Sequence, residues 1–269
     1  MGLAYERRGS GPPLVLLHGI GHRRQAWNAV AGRLAAHREL ILVDLPGHGE
    51  SPPLLPAGRE PVQAMAEEVI GFLDELGLDR PHVAGNSLGG ALTLITAALG
   101  RAATATGLSP AGFWCNDRQY RLAKANFTIM QAAGAMIRPV APVLARATAG
   151  RALLYATIVR RPSRISPAQA AADTAGFVAA RDATKAVLAR PAAFTLGIPG
   201  DVPVTIAWGT HDRVLPPSQA GVARQRLPQA RFVPLPGCGH VPMTDDPDLV
   251  ARVLLEGSRL EVSQDRGPA

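Results

Sequence analysis

Gly85-Asn86-Ser87-Leu88-Gly89 is a G-x-S-x-G run set between a short strand pattern at 81–84 and a helix-forming run at 91–99. On a sharp strand-to-helix turn a serine can sit close to the backbone and still present its Oγ, provided its neighbours two places away lack side chains, and Gly85 and Gly89 meet that condition. Ser87 is therefore a candidate nucleophile. A serine hydroxyl is weakly nucleophilic near neutral pH and needs a base, and that base needs a group to orient it. The chain must supply both from distant positions, because its seven histidines are dispersed.

The elements that would bring such residues together can be read coarsely. A chain of 269 residues with 47% hydrophobic content is long enough for one substantial core and one insertion. Residues 3–7 fit an edge strand, followed by a Gly-Ser-Gly-Pro-Pro turn and an apolar strand at 14–17. Residues 25–36 have helical spacing, with Trp27, Val30 and Leu34 on one face. Residues 40–43 are a nearly continuous apolar run, as expected of a parallel strand covered on both sides. Helical spacing returns at 64–76, and 104–108 is a further strand. From 116 to 194 strand signals almost disappear, and Ala-rich helical segments are punctuated by Gly134, Pro139 and Pro142, with Ser166-Pro167 as a helix start. Strands resume at 202–208 and 231–235, with helices at 216–227 and after Asp246-Pro247. The polar end from Arg259 is expected to fray.

Five separated motifs carry a resemblance. Leu14-Val15-Leu16-Leu17-His18-Gly19-Ile20-Gly21 is a strand running into a glycine loop, and Asp44-Leu45-Pro46-Gly47-His48-Gly49-Glu50-Ser51 follows the next parallel strand. The serine pentapeptide comes third, then Trp208-Gly209-Thr210-His211-Asp212-Arg213-Val214-Leu215-Pro216 and Gly237-Cys238-Gly239-His240. In this order they resemble the α/β-hydrolase family, over about residues 5–255. The resemblance implies an α/β fold with a mostly parallel central sheet flanked by helices. It implies a catalytic core of 1–115 and 195–269, with 116–194 as an inserted helical cap. It puts the nucleophile on Ser87, the acid on Asp212 and the base on His240. It also implies an oxyanion hole formed by the backbone N–H groups of Ile20 and Leu88. Asp117 is the rival acid. His18 reads as part of the site floor, His48 and His82 as structural or surface residues, and His211 as pointing elsewhere.

No cofactor or metal is expected, since there is no H-E-x-x-H and Cys115 and Cys238 lack ligand spacing. Neither G-x-G-x-x-G nor a P-loop follows the glycine strand, which disfavours nucleotides. The formal charge is +7, with basic residues spread along the chain and no run longer than a doublet. A solvated basic surface is expected, with no nucleic acid and no membrane as partner. Residues 1–10 are polar and the 14–17 run is too short to span a bilayer, so a cytoplasmic location is expected. Two cysteines make no disulfide framework. Nothing in the sequence fixes an oligomeric state.

An insertion rich in Ala, Leu, Met and Phe would roof Ser87 with an apolar chamber. Trp27, Asn86, Phe113, Trp114, Phe127, Met130, Met136 and Val241 are the candidate substrate contacts. The expected partners are a small-to-medium hydrophobic carboxylic ester, or a related acyl substrate, and water, acting through an acyl-serine intermediate. Relatives that hydrolyse carbon-carbon bonds in vinylogous diketones often present Gly-Asn-Ser at this turn, but His240-Val241-Pro242 lacks the tryptophan common after their histidine. Haloperoxidase-like or perhydrolase-like chemistry, and a non-catalytic small-molecule receptor, remain further alternatives.

Overall fold

The computed structural model describes residues 2–55 and 58–259, so the tail expected to fray lies outside the described residues beyond Arg259. The chain runs through β1 (Tyr5–Arg8), β2 (Pro13–Leu17), a 3-10 turn (Arg24–Trp27), α1 (Asn28–Ala35), β3 (Glu39–Val43), α2 (Pro61–Glu75), β4 (His82–Asn86), α3 (Leu88–Ala98) and β5 (Thr104–Leu108). A purely helical stretch follows: α4 (Asp117–Ile137), α5 (Ala141–Leu144), α6 (Thr148–Tyr155), α7 (Pro167–Ala179) and α8 (Arg181–Val187). It closes with β6 (Val204–Gly209), α9 (Ser218–Arg226), β7 (Arg231–Leu235), α10 (Pro242–Asp245) and α11 (Pro247–Gly257).

Among the described residues seven strands form one sheet in the order β1-β3-β2-β4-β5-β6-β7. Only β1 runs antiparallel, against β3. This is the mostly parallel, helix-flanked sheet that the resemblance implies. Successive side chains of a strand point to opposite faces, and the two faces have separate cores. Val15 and Leu17 pack with Met65, Val69 and Leu73 of α2 and Leu92 of α3. Leu14 and Leu16 pack with Val30 and Leu34 of α1 and Val250 and Leu254 of α11. Both faces being covered explains why β2 and β3 read as unbroken apolar runs. Pro234 sits in β7, an edge strand, where a missing N–H is tolerated.

The winding direction reverses between β2 and β4, since the chain leaves β2 towards β3 on one side and returns to build β4 to β7 on the other. Ligands of open α/β sheets bind at such a reversal, beyond the carboxyl ends of the strands. Here those ends deliver the glycine loop after Leu17 and Ser87 after Asn86.

Several boundaries differ from expectation for local reasons. Residues 25–36 begin as a 3-10 turn before α1. The helix expected from 64 starts at Pro61, because proline at the first helical position has no N–H to leave unpaired. Gly134 does not break the inserted helix. A Cβ there would lie 3.4 Å from Val178, so the glycine is where α4 and α7 approach. Ser166 caps α7 by accepting from the Gln169 N–H at 3.1 Å, and Asp246 caps α11 by accepting from the Leu249 N–H at 3.0 Å. Among the described residues no helix is long and apolar enough to cross a membrane.

Candidate active site

Ser87 has φ 55° and ψ −115°, a region that residues with a side chain rarely enter. The surrounding glycines make the turn possible. A Cβ on Gly85 would lie 2.1 Å from the carbonyl oxygen of Gly89, and one on Gly89 2.1 Å from that of Leu17. The Ser87 N–H donates to the Leu108 carbonyl at 3.0 Å, and the Ser87 carbonyl accepts from Ala91 and Ala111, each at 3.0 Å. The strained residue is thus tied into β5 and α3. Leu88 opens α3, so its N–H has no carbonyl one turn back to bond and points from the positive end of the helix.

The loops after β6 and β7 bring His240 and Asp212 together. His240 Nδ1 donates to Asp212 Oδ2 at 2.8 Å, which fixes the tautomer, because a carboxylate can only accept. The other carboxylate oxygen accepts from the N–H groups of Val214 at 2.9 Å and Leu215 at 2.8 Å. Three hydrogen bonds therefore fix the carboxylate, and the imidazole is held with Nε2 outward. That Nε2 is buried and has no hydrogen-bond partner, and His240 and Ser87 line the same cavity. The arrangement can take a proton from a serine hydroxyl and return it to a departing group. Asp117, the rival acid, lies exposed in the first turn of α4.

Two cavities meet at Ser87, Ile20 and Phe127. The first, about 120 Å³, adds Leu88, Ala91, Ile95, Trp114, Phe194 and Leu215. The second, about 170 Å³, adds Met130 and Val241 to a polar wall of His22, Tyr155, Thr157 and Asp173. The inserted helices supply part of both linings. Trp114, Phe127, Met130 and Val241 thus sit where substrate contacts were expected, with the Trp114 indole N–H donating to the Ala192 carbonyl at 3.1 Å.

Three expected contacts are corrected by their placement. Trp27 is fully buried beneath α1 among Val30, Leu34 and Leu42. Phe113 is fully buried, with its ring centroid 5.7 Å from that of Phe194. Met136 is 82% exposed on the outer face of α4. Asn86 lines the second cavity, but its amide nitrogen donates to the Leu108 carbonyl at 3.0 Å and the His240 carbonyl at 2.9 Å. Its role is to hold the histidine backbone against β5.

His18 takes the place in the site floor expected of it and His48 is structural, while the acidic braces of the site were not foreseen. His18 Nδ1 donates to the Gly19 carbonyl at 2.8 Å and its Nε2 accepts from the Leu45 N–H at 3.0 Å. His48 Nδ1 donates to the Pro46 carbonyl and its Nε2 accepts from the Gly21 N–H, both at 3.0 Å. Together the two rings lock the glycine loop to the turn after β3. Both are neutral: burial pushes His48 down to about 4, and burial with His48 nearby pushes His18 well below the usual imidazole range. Asp44 accepts from the Arg24 N–H at 2.6 Å and pairs with the Arg24 guanidinium. Asp173 accepts from the Tyr155 hydroxyl at 2.8 Å and from Arg23 at 3.3 Å. Burial and the Asp173 charge push the Tyr155 phenol up, so it stays a donor. Burial pushes the Cys238 thiol up to about 12, leaving it inert as a nucleophile. Among the described residues no cluster of three or more His, Cys, Asp or Glu could hold a metal ion.

Comparison with known proteins gives these surroundings a context. The sequence profile of the Alpha/beta hydrolase family matches residues 14–253. The dihydrolipoyllysine-residue acetyltransferase component of an acetoin cleaving system from Pseudomonas putida is 29% identical over 91% of this chain, which spans only 63% of that protein's length. A pimeloyl-[acyl-carrier protein] methyl ester esterase from Aeromonas salmonicida is 43% identical over 34% of each chain. A thermophilic esterase from Thermogutta terrifontis superposes with a TM-score of 0.69 at 24% identity, over 94% of this chain and 92% of its own. That likeness speaks to the fold.

Proposed function

Since the chain belongs to the alpha/beta hydrolase family, we propose that it is a serine hydrolase cleaving hydrophobic carboxylic esters through an acyl-serine intermediate, with Ser87 as nucleophile, His240 as base and Asp212 orienting it. The observation that carries this reading is the buried, unpartnered His240 Nε2 facing the cavity of the strained Ser87, with Asp212 Oδ2 2.8 Å behind it. Attack by Ser87 Oγ on an ester carbonyl transfers the hydroxyl proton to His240 Nε2 and develops negative charge on the carbonyl oxygen. The N–H groups of Leu88 and Ile20 serve as its donors. Collapse expels the alkoxide, which takes the proton back from His240. Water then repeats the cycle on the acyl-enzyme.

This proton route assigns the two cavities. Only the second contains His240, and the general acid must reach the departing oxygen, so the leaving group occupies that cavity and its polar wall. The acyl chain takes the first, where Ala91, Ile95 and Leu215 offer almost no polar surface. The helical insertion serves as a cap over both. The esterase relative supports an ester as substrate class.

The test is hydrolysis of p-nitrophenyl esters from acetyl to dodecanoyl by wild type and by Ser87→Ala. We expect turnover with a medium-chain optimum, and a loss of about 10³-fold or more in kcat in the folded variant. Equal rates for the two proteins reject the nucleophile. Turnover of a vinylogous diketone with none of any ester replaces the ester by a carbon-carbon bond.

A further inference from the structure

The basic surplus of the molecule is concentrated in one place. Residues 116–194 hold twelve Lys or Arg against three Asp, an excess of nine, whereas the formal charge of the whole chain is +7. The rest of the chain is therefore acidic by two. The expectation of a solvated basic surface rested on the absence of runs of charge, and a surplus dispersed through one folded segment forms no run.

The same segment exposes large apolar side chains in register. Leu122, Ile129 and Met136 on α4 are seven residues apart and 58%, 67% and 82% exposed, and Val143 on α5, seven further, is 65% exposed. Seven residues are close to two helical turns, so the three on α4 share one outward face. The opposite face, with Tyr120, Ala123 and Phe127, is already buried. Arg118 and Arg121 lie within about one turn of Leu122 on this helix, and Arg138 and Arg146 flank Val140 and Val143. All four arginines are exposed, and none has a side-chain partner among the described residues. Ile137, next to Met136 on α4, lines the second cavity together with Leu153, which is 66% exposed.

We infer that this face of the insertion docks on an anionic lipid surface, with the aliphatic stripe in the acyl boundary and the arginines at the phosphate level. A helix that carries large apolar residues on one side and arginines beside them, and that is too polar overall to span, lies in the plane of a membrane interface. A second copy is disfavoured by charge, because apposing two such faces would bring together Arg118, Arg121, Arg138 and Arg146 of each. An acidic protein would satisfy the arginines but would need a groove matched to the stripe. A lipid surface needs only the exposed apolar face itself. The docking does not depend on the ester reading; it adds that a lipid-dissolved substrate would enter beside Leu153.

The experiment is co-sedimentation of the 269-residue chain with vesicles of phosphatidylcholine alone, or of phosphatidylcholine with phosphatidylglycerol. We expect binding to the anionic vesicles that weakens roughly tenfold or more on the neutral ones or in high salt. Ile129→Ser with Met136→Ser, and separately Arg118→Gln with Arg121→Gln, should each weaken it by a similar factor at unchanged Tm. Ser87→Ala should bind as wild type does, so loss of esterase activity and loss of docking are read separately. Failure to sediment with anionic vesicles overturns the inference, as does binding that neither double variant alters. A dimer in sedimentation equilibrium that Ile129→Ser with Met136→Ser dissociates assigns the face to a second copy and overturns it equally.

Discussion

Asn86 illustrates how a residue beside a nucleophile can serve the chemistry without touching substrate. Its two amide protons are spent on the carbonyls of Leu108 and His240, so the backbone of the candidate base hangs from the end of the strand that precedes Ser87. Asn86→Ala would leave the buried His240 carbonyl unpaired, at a cost of about 1–3 kcal/mol before relaxation, and the Leu108 carbonyl with the Ser87 N–H as its donor. We expect a lower Tm and a drop in kcat with little change in KM for a small p-nitrophenyl ester, because the misplacement falls on His240 and not on the cavity. A selective rise in KM would instead return Asn86 to the role of a substrate contact. Which residues face the cavities was only half legible in the sequence. Phe127 and Met130 line them while Met136 does not, since composition marks an apolar residue but says nothing of which side of α4 it takes. The candidate nucleophile was readable because its constraint is local: two glycines flank one serine.

The insertion is fastened to the sheet at a few points, and Asp245 at the end of α10 is the most concentrated of them. Its Oδ1 accepts from the N–H groups of Arg160 at 2.8 Å and Arg161 at 2.7 Å, and its Oδ2 from Gly239 at 2.8 Å. The Val241 N–H donates to the Ile158 carbonyl at 3.0 Å alongside. The carboxylate thus joins the stretch after α6 to the loop that carries His240. Asp245→Ala removes three charge-assisted hydrogen bonds, each worth about 1.5–3 kcal/mol, and leaves their donors buried. Hydrogen exchange should accelerate at 158–164 and 238–241 while the amides of β2, β4 and β5 keep their protection. Uniform acceleration across the sheet would show that the insertion and the sheet unfold as one unit. No sequence signal pointed to this brace, or to Asp173 and Asp44, because a lone acid whose partners lie far along the chain has no local pattern. The strands were legible for the opposite reason: in β3 each of Leu40, Ile41, Leu42 and Val43 is fully buried, so burial alone wrote the pattern. The start of α2 at Pro61 was placed three residues late, whereas Pro167 and Pro247 were legible as opening residues because a serine or an aspartate stands before each as cap.

At the scale of the whole molecule, buried histidines set the response to acid. His18, His48 and His82 are all buried, and His82 Nδ1 lies 2.9 Å from the Thr104 hydroxyl. Burial is the leading cause that lowers each of them, His48 to about 4, whereas an imidazole in the unfolded chain titrates near 6.5. Between those values the unfolded chain holds a proton that the folded one refuses, so ν for the unfolded state exceeds ν for the native state and stability rises with pH. The stabilisation is full above about 6.5, is lost as the pH falls, and for His48 is exhausted below about 4; for that residue alone it is on the order of 3 kcal/mol. Asp245 and Glu68, whose carboxyls burial raises, work in the opposite sense but are two groups against four, since burial lowers His22 as well. Urea unfolding followed by circular dichroism from pH 7.5 to 4.5 should therefore show a midpoint that falls steadily towards acid. His48→Gln keeps an amide N–H for the Pro46 carbonyl and an acceptor for the Gly21 N–H but cannot titrate. It should begin less stable and close on the wild type as the pH drops. A midpoint independent of pH across this range would mean that the rings locking the glycine loop are not held neutral by the fold.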